Sequence, residues 1–443
     1  MTGTTKNRRP IGVDLFAGAG GMTLGFEQAG FDVLAAVEID PIHCATHEFN
    51  FPFWSILCKS VAEISAAEIR ESSSIGDRDI DVVFGGPPCQ GFSTMGKRHL
   101  DDPRNSLVFD FIRLVLDLKP KTFVMENVRG LTQGRQREFL GEAIAKFQFN
   151  GYKVREDYRV LNAACYGVPQ NRERLFLIGC RQGLALPEYP APISRPIYLK
   201  NTTKNLAERK SYEADDLPRA PNVWEAIADL PDIEKHRELF KQDYCLAEYG
   251  TPQSDYAKQL RGLVSIESDR AYPRQCDPRI LTSSLRTKHT PESTKRFAET
   301  LPGTTEPKSR FYRLHPEGLC NTLRAGTPSN RGAHTSPRPI HPKQPRCITV
   351  REAARLHSYP DWFRFHGTKW HGFRQIGNSV PPLLAKAVAS EICKSLRIES
   401  SQPAETNCRK LGDQELLSFN MSQAAKLYNV DTQAIAPRKR QTL

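Results

Sequence analysis

The residues with the clearest chemical potential lie in one short segment, where two prolines precede a cysteine. Cys89 follows Gly85–Pro88 and the largely apolar run 80–84. The prolines stiffen the backbone before the cysteine, and glycines on both sides allow a loop to move over a substrate. A thiolate here could act as a nucleophile, although an isolated cysteine is more often an inert, small apolar side chain. The groups that lie beside Cys89 in the fold therefore decide its chemistry.

A carboxyl group ends the next apolar run along the chain. Glu126 closes the run 122–126, so Cys89 and Glu126 end neighbouring strands if both runs belong to one sheet. One interpretation of Glu126 is a solvated loop charge. The other is that the two residues form a nucleophile and its acid partner.

A third polar group precedes the apolar run 175–179. Gln170, Arg172 and Arg174 occur at every second position, which places their side chains on one face of an extended strand. Two arginines on such a face suit phosphate or carbonyl oxygens, and an ordinary solvated surface is the alternative.

The beginning of the chain carries a pattern typical of nucleotide-binding turns. The apolar segment Ile11–Phe16 runs directly into Ala17–Gly21, and Glu38 follows 18 residues after Gly20, at the end of the next apolar run. Glycines allow a ligand to approach the backbone closely, and a carboxylate at this spacing can accept hydrogen bonds from ribose hydroxyls. A tight structural turn and a nicotinamide site are open alternatives.

The elements that must position these groups alternate along residues 11–179. Short apolar runs and helical patterns predict an α/β fold with a mostly parallel sheet and helices on both faces. Such sheets bind ligands beyond the carboxyl ends of their strands, where these polar groups would lie. Farther along, Thr349 is a predicted helix N-cap and residues 381–396 are a predicted helix.

These patterns divide the chain into four parts. Residues 1–185 form the first part of a catalytic and cofactor-binding domain, which residues 350–398 complete. Residues 186–349 contain many prolines and short segments and form a smaller, irregular domain. Residues 399–443 are a polar C-terminal extension with one helix around residues 422–428.

The positive charge is concentrated in the irregular part. The sequence has 62 Lys and Arg against 50 Asp and Glu, and residues 271–349 hold 14 basic against 5 acidic side chains, so they contribute +9 of the net +12. This balance favours a polyanionic partner but leaves membrane surfaces open. No apolar run reaches the roughly 20 residues of a membrane helix, and the N-terminus lacks a signal-peptide pattern. The 11 scattered cysteines indicate neither a disulfide framework nor a zinc site.

Six segments together resemble the ordered motifs of the cytosine-5 DNA methyltransferase family. They span about residues 11–398 and are Phe16–Gly21, Pro87–Ser93, Glu126–Val128, Gln170–Arg174, Arg351–Tyr359 and Gln375–Pro382. The resemblance implies a Rossmann-like methyltransferase domain, with residues 186–349 as the family's variable target-recognition region.

The resemblance also implies a mechanism. Cys89 would attack carbon 6 of cytosine and so make carbon 5 reactive, while Glu126 would stabilise protonation at ring nitrogen 3. Arg174 would hold the carbonyl oxygen at carbon 2, and Arg172 would bind a nearby phosphate. The base that removes the proton at carbon 5 is not identified.

The target cytosine must leave the duplex before its carbon 6 can be attacked. The loop 91–104 would close on the base, and the basic segment 271–349 would supply much of the grip on DNA. We therefore predict DNA contacts at Ser93, Lys97, Arg98, Arg324 and Arg331.

The methyl donor implied by the resemblance is S-adenosylmethionine, and no metal is expected. Phe16 would stack on the adenine, Glu38 would accept from the ribose hydroxyls, and Leu107 would add an apolar wall. The full predicted cofactor site is Phe16, Gly18, Gly20, Gly21, Glu38, Val61, Pro88, Leu107, Asn378 and Val380. One departure is that Lys59–Val61 stands where relatives carry Gly-Asp-Ile, so the contact with the adenine amino group is in doubt.

The expected partner is double-stranded DNA, bound by a monomer in the bacterial cytoplasm and associated with the nucleoid. A chain without large regulatory domains resembles a restriction-modification or orphan enzyme, so a matching endonuclease would be a functional partner rather than a bound one. An RNA cytosine methyltransferase is one alternative, against which the long basic segment and the lack of a Cys-Phe-Thr tripeptide argue. A catalytically inactive DNA-binding module is another, against which the intact set of chemical residues argues.

Overall fold

A computed structural model describes residues 6–88, 106–134, 136–199, 216–326 and 338–432. The strands are β1 (Lys6–Asn7), β2 (Ile11–Leu15), β3 (Asp32–Glu38), β4 (Ser55–Cys58), β5 (Val82–Gly85), β6 (Thr122–Val128), β7 (Tyr152–Val154), β8 (Arg159–Asn162), β9 (Gln170–Asn171), β10 (Glu173–Arg181), β11 (Cys245–Leu246), β12 (Arg274–Gln275), β13 (Ile280–Leu281), β14 (Cys320–Asn321), β15 (Ile398–Glu399) and β16 (Arg409–Lys410). The helices are α1 (Gly21–Gln28), α2 (Pro41–Asn50), α3 (Ala66–Glu71), α4 (Ser106–Leu118), α5 (Gln136–Phe149), α6 (Val223–Ile227), α7 (Asp255–Leu260), α8 (Pro291–Glu299), α9 (Val350–Arg355), α10 (Lys369–Asn378), α11 (Pro382–Leu396) and α12 (Met421–Leu427).

An eight-stranded sheet forms the centre of the molecule. Its order is β4-β3-β2-β5-β6-β10-β7, and β8 also pairs with β10. The five strands from β4 to β6 run parallel, whereas β10 is antiparallel to β6, β7 and β8. Strands β2 and β5 are buried along their whole length, as expected when helices cover both faces. The predicted α/β fold with a mostly parallel sheet is confirmed.

The strand order reverses between β2 and β5. From β2 the chain continues outward through β3 and β4, and it then crosses to β5 and β6 on the other side. The loops that follow β2 and β5 therefore diverge and leave a crevice at the carboxyl ends of these strands, which is the usual ligand position in such sheets.

Residues 350–398, the return segment, pack against the first part of the chain. The Thr349 hydroxyl accepts the Glu352 N–H at 3.2 Å while the Glu352 carboxylate accepts the Thr349 N–H at 2.7 Å, so the predicted N-cap forms a capping box. Helix α11 then packs on α1 so closely that a Cβ at Gly25 would lie 2.4 Å from the Ala385 Cβ. Glycine is required at that position, and the two distant parts of the chain share one core.

Elements between residues 186 and 349 are short. In the described part of this range the strands have two residues each, and the longest helix, α8, has nine. Strand β14 pairs in parallel with β9, which joins this region to the catalytic part. No helix in the described ranges is both long and apolar enough to cross a membrane.

The described part of the C-terminal extension is packed on the catalytic part. Leu416 and Leu417 are buried against Ala45 and Phe49, which lie on α2. The hydroxyl of Tyr428 donates to the Glu48 carboxylate at 2.6 Å. The C-terminal extension is polar in overall composition, yet these residues form a small apolar cluster that covers one face of α2.

Candidate active site

The predicted motifs meet beyond the carboxyl ends of β2, β3, β5 and β6. A cavity of about 1250 Å³ opens there, which exceeds the ~300–1,000 Å³ of typical small-ligand pockets. The predicted site residues that line it are Phe16, Gly18, Gly21, Glu38, Pro88, Glu126, Arg174, Arg324, Asn378 and Val380. The N-terminal part of the chain, the return segment and the basic segment 271–349 therefore contribute to a single cavity.

The glycine turn after β2 positions a carboxylate at one wall of this cavity. Phe16 has a left-handed backbone with φ of 64°, which is uncommon for a bulky residue, and Gly18 has φ of 56°. The turn brings the Gly18 N–H to Glu38, whose carboxylate accepts it at 2.8 Å and the Asp40 N–H at 2.9 Å. Glu38 is thereby held in one orientation at the end of β3.

This wall has the chemistry of a nucleoside site. It combines the Phe16 ring, the Glu38 carboxylate and the Asn378 side chain, which suit an adenine face, ribose hydroxyls and polar edge atoms. A Cβ at Gly18 would meet no atom within 4 Å, so the turn leaves open space beside it. The residues present fit S-adenosylmethionine.

The other two glycines of the turn are required by the protein itself. A Cβ at Gly21 would lie 2.5 Å from the Tyr359 hydroxyl and 2.7 Å from the Val380 carbonyl oxygen. A Cβ at Gly20 would lie 2.5 Å from the Phe51 ring, and Gly20 does not line the cavity. These positions allow close packing of the return segment and of the chain after α2. Gly18 and Gly21 line the cavity, whereas Gly20 is not brought to it.

Glu126 and Arg174 form the polar centre of the opposite wall. They lie on the paired strands β6 and β10, and the Arg174 Nε is 2.8 Å from the Glu126 Oε1. The two side chains are only 11% and 13% exposed. Burial raises the pKa of the Glu126 carboxyl, and the charges of Arg174 and Arg172 oppose this shift only in part. Such a carboxyl is suited to share a proton with a bound base.

The segment before Cys89 is fastened to the strand that carries Glu126. A Cβ at Gly86 would lie 2.7 Å from the Glu126 Oε2, so a larger residue there would displace this carboxylate. The Asn127 side-chain amide donates to the Pro87 carbonyl at 3.1 Å. The prolines therefore leave the sheet in a defined direction beside Glu126.

Arg172 does not take the phosphate-binding role that was predicted. Its side chain is fully buried, and its guanidinium donates to the carbonyl oxygens of Leu323, Gly377 and Ser379 at 2.7 to 2.8 Å. That prediction is wrong because other parts of the chain cover the strand face on which Gln170 and Arg172 lie. Gln170 is buried in the same way, since it accepts the Leu323 N–H at 3.1 Å. Arg172 instead joins the basic segment to the return segment.

Two further predicted cofactor residues are not brought to the cavity. Val61 is 4% exposed and packs in the core, and Leu107 is a partly buried residue in the first turn of α4. At the departure from the family pattern, Lys59 pairs with Glu68 and the Ser60 hydroxyl accepts the Ala62 N–H at 3.2 Å. The remaining predicted residues lie outside the described residues and are Cys89, Ser93, Lys97, Arg98 and Arg331.

Asp14 is a cavity residue that the sequence reasoning missed. It lies in the middle of β2, is 1% exposed and accepts a hydrogen bond from the Thr23 hydroxyl at 2.6 Å. Burial raises the pKa of the Asp14 carboxyl from its ordinary value of 3.8 to about 8. The available signal was an acidic residue inside an otherwise apolar strand, where an unpaired charge is costly.

We predict that Asp14 makes the stability of the fold depend on pH. Because its folded-state pKa is raised, the stabilising proton is retained at low pH and is lost as pH rises through about 8. Asp14→Asn cannot lose this proton, so its unfolding free energy relative to wild type should rise between pH 5 and pH 9 by at least about 1.4 kcal/mol, one pKa unit. Urea unfolding at both pH values measures this. Asp79→Asn, at a side chain that is 78% exposed, is the matched control, and parallel pH profiles for Asp14→Asn and wild type would refute the assignment.

A Rossmann-like sheet with a nucleoside wall, faced by a buried Glu–Arg pair, defines an α/β methyltransferase. The family model described as C-5 cytosine-specific DNA methylase matches residues 12–394. The chain belongs to this family and is a DNA cytosine methyltransferase. The resemblance drawn from the six motifs is therefore confirmed, and the RNA-directed alternative is not supported.

Individual relatives agree with this assignment. The type II methyltransferase M.XorII of Xanthomonas oryzae pv. oryzae is 57% identical over 432 residues, 98% of this chain and 95% of the relative. The type II methyltransferase M.DdeI of Desulfomicrobium norvegicum is 34% identical and covers 86% of this chain and 88% of its own. A crystal structure of a candidate DNA modification methyltransferase encoded within a prophage (E. coli) has a TM-score of 0.69 and 32% identity, covering 87% of this chain and 99% of that one.

Proposed function

We propose that the protein transfers a methyl group from S-adenosylmethionine to carbon 5 of a flipped-out cytosine in a specific double-stranded DNA sequence, through a covalent Cys89 adduct. The observation that carries this proposal is the buried Glu126–Arg174 pair at the start of the Cys89 loop, facing a nucleoside wall across one cavity. The cavity has room for two ligands, so a base and a methyl donor can be bound together.

The proposed chemistry uses three side chains. The thiolate of Cys89 adds to carbon 6, and Glu126 places its proton at ring nitrogen 3, so electron density moves toward carbon 5. Arg174 donates from its Nη1 to the Glu173 carbonyl at 2.7 Å and pairs through its Nε with Glu126. Its remaining Nη2 is left for the carbonyl oxygen at carbon 2. Carbon 5 then takes the methyl group and S-adenosylhomocysteine leaves. Loss of the proton at carbon 5, expulsion of the Cys89 thiolate and return of the nitrogen 3 proton to Glu126 restore the aromatic ring.

The methyl donor is assigned to the wall formed by the ends of β2 and β3. Bound S-adenosylmethionine supplies the electrophilic methyl group. Phe16 and Glu38 would hold its adenosine part, and Asn378 and Val380 from the return segment would close the same pocket. Pro88, the residue before Cys89 in the sequence, lines the same cavity, which supports a donor site close to the nucleophile.

DNA binding is assigned to the loop 91–104 and to the basic segment 271–349. Taking the base out of the stack costs a few kcal/mol, which backbone contacts can offset. Ser93, Lys97 and Arg98 are the proposed contacts on the loop. The type II names of the relatives favour a sequence-specific enzyme whose functional partner is a matching endonuclease, acting on the same site without being bound.

A trapping experiment tests the proposal directly. Duplex DNA with 5-fluorocytosine at the target should form a covalent complex that survives denaturation, because fluorine cannot leave carbon 5 as a proton does. Bisulfite sequencing of plasmid DNA from cells that express the chain identifies the target sequence for that duplex. If normal DNA is methylated but no trapped complex forms, the covalent route is wrong.

We also predict that the basic segment contributes DNA affinity through Arg324 and Arg331. Arg324 is exposed and lines the cavity. Each phosphate contact that is removed should lower the slope of log affinity against log salt by about one unit, whereas loss of a base contact should relax one sequence position. The double alanine variant should therefore differ from wild type in salt slope or in methylated-site spectrum. Arg279→Ala, in the same segment but 77% exposed and paired with Asp277, is the matched control. If all properties are unchanged, recognition lies elsewhere in the region.

A further inference from the structure

A hairpin at the edge of the cavity carries an arginine with unusual geometry. Residues 303–313 fold back on themselves, with the Gly303 N–H donating to the Arg313 carbonyl at 2.8 Å and the Glu306 N–H donating to the Phe311 carbonyl at 2.8 Å. Arg310 lies at the tip of this hairpin, between the two segments that these hydrogen bonds join. Arg310 lines the same cavity as Glu126 and Arg174.

The tip is held by hydrogen bonds and an ion pair to one buried carboxylate. Glu306 is 1% exposed, accepts the N–H groups of Lys308 and Ser309, and pairs with Arg296 of α8 at 3.2 Å. The base of the hairpin is fastened by Arg313, which donates to carbonyl oxygens at the end of α8. The position of the tip is therefore set before any ligand binds.

The hairpin holds the backbone of Arg310, whose N–H donates to the Glu306 carbonyl at 2.9 Å, and two features of this residue bear on what it binds. Its φ is 58°, a left-handed conformation that costs free energy in a residue other than glycine. Arg310 is exposed and lines the cavity, and within the ranges that the structure describes its guanidinium makes no hydrogen bond or ion pair. Backbone strain that positions an unpaired cation at a cavity points to a ligand outside the chain.

We propose that Arg310 is a specificity-determining residue that reads a guanine next to the target cytosine. Arginine donates two parallel hydrogen bonds to the O6 and N7 atoms of guanine in the major groove. The hairpin fixes the backbone position from which the Arg310 side chain extends, and Arg310 lines the same cavity as Glu126 and Arg174, where the reacting base is proposed to bind. A phosphate can also be bound by a lysine as a point charge, whereas paired donation from one planar group to O6 and N7 uses the arginine guanidinium.

Three variants of the full-length protein test this inference, which rests on the proposed function. Arg310→Gly removes the side chain and suits the left-handed backbone, Arg310→Lys keeps the charge but loses the paired donors, and Lys308→Ala is a control on the same tip. Methylated-site spectra are measured by bisulfite sequencing of a randomised duplex library, together with affinity as a function of salt and the melting temperature.

Both Arg310 variants should relax discrimination at one base pair beside the cytosine by roughly tenfold to a hundredfold, with folding retained. The Lys308 variant should keep the wild-type spectrum. An unchanged spectrum in both Arg310 variants overturns the inference while wild-type activity leaves the proposed function intact. A uniform loss of affinity with a lower salt slope in Arg310→Gly alone also overturns the inference, because it is the signature of a phosphate contact. Absence of cytosine methylation by the wild type would refute the proposed function and this inference together.

Discussion

Replacing Cys89 with serine is expected to abolish methylation while the fold and cofactor binding are retained. A serine hydroxyl is far less ionised and less nucleophilic at neutral pH than a thiol, so the adduct at carbon 6 should not form. Loss of a covalent nucleophile typically costs on the order of 10⁴-fold or more in turnover. Transfer of labelled methyl groups from S-adenosylmethionine to plasmid DNA measures the rate, and calorimetry measures cofactor affinity.

A second cysteine variant separates chemistry from general sensitivity. Cys276 is exposed in the basic segment 271–349 and does not line the cavity. Cys276→Ser should keep wild-type turnover. Near-wild-type methylation by Cys89→Ser would remove Cys89 from the proposed mechanism, whereas equal losses in both variants would indicate damage to the fold.

Glu126→Gln should lower turnover by about 10²- to 10⁴-fold, the usual contribution of an acid or base at a reacting group. Gln keeps the shape of the side chain and can still accept from Arg174 through its amide oxygen. It cannot provide the proton that nitrogen 3 needs as charge develops, so the loss should fall on the chemical step and only weakly on DNA affinity. Single-turnover rates and DNA binding measured on the same preparations distinguish these effects.

The control for this variant is the neighbouring glutamate. Glu173 pairs with Arg129 at 2.9 Å and is more exposed than Glu126. Glu173→Gln should change turnover little, because its carboxylate is neutralised by a different arginine. If Glu126→Gln weakens DNA binding strongly and leaves the single-turnover rate intact, Glu126 positions the substrate and is not the proton donor.

Much of the fold and the nature of the site could be predicted from local patterns. Apolar runs separated by glycine turns predicted the parallel strands, and Thr349 with Glu352 predicted the start of α9. These features depend on backbone preferences and side-chain periodicity over a few residues, which the sequence states directly. The same patterns placed Glu38 at the end of its strand, as observed, whereas the strand of Glu126 continues two residues farther, to Val128.

The tertiary structure alone decided which of several equivalent side chains reaches the cavity. Gln170, Arg172 and Arg174 have the same spacing, yet Arg172 is covered by Leu323 and Gly377, which lie 151 and 205 positions farther along the chain. Periodicity specifies the face on which a side chain lies, but the burial of that face depends on segments remote in sequence.

The titration of Asp14 and the presentation of Arg310 have the same origin. The raised pKa of Asp14 comes from the layers packed around β2, and the left-handed tip at Arg310 comes from the buried carboxylate of Glu306 and its partner on α8. The sequence by itself determined the order along the chain of the strands that carry the chemical groups, and the kinds of groups available. Only the packing of distant segments decided which groups are buried, paired or left facing the cavity, because desolvation and pairing are properties of surroundings that the chain assembles when it folds.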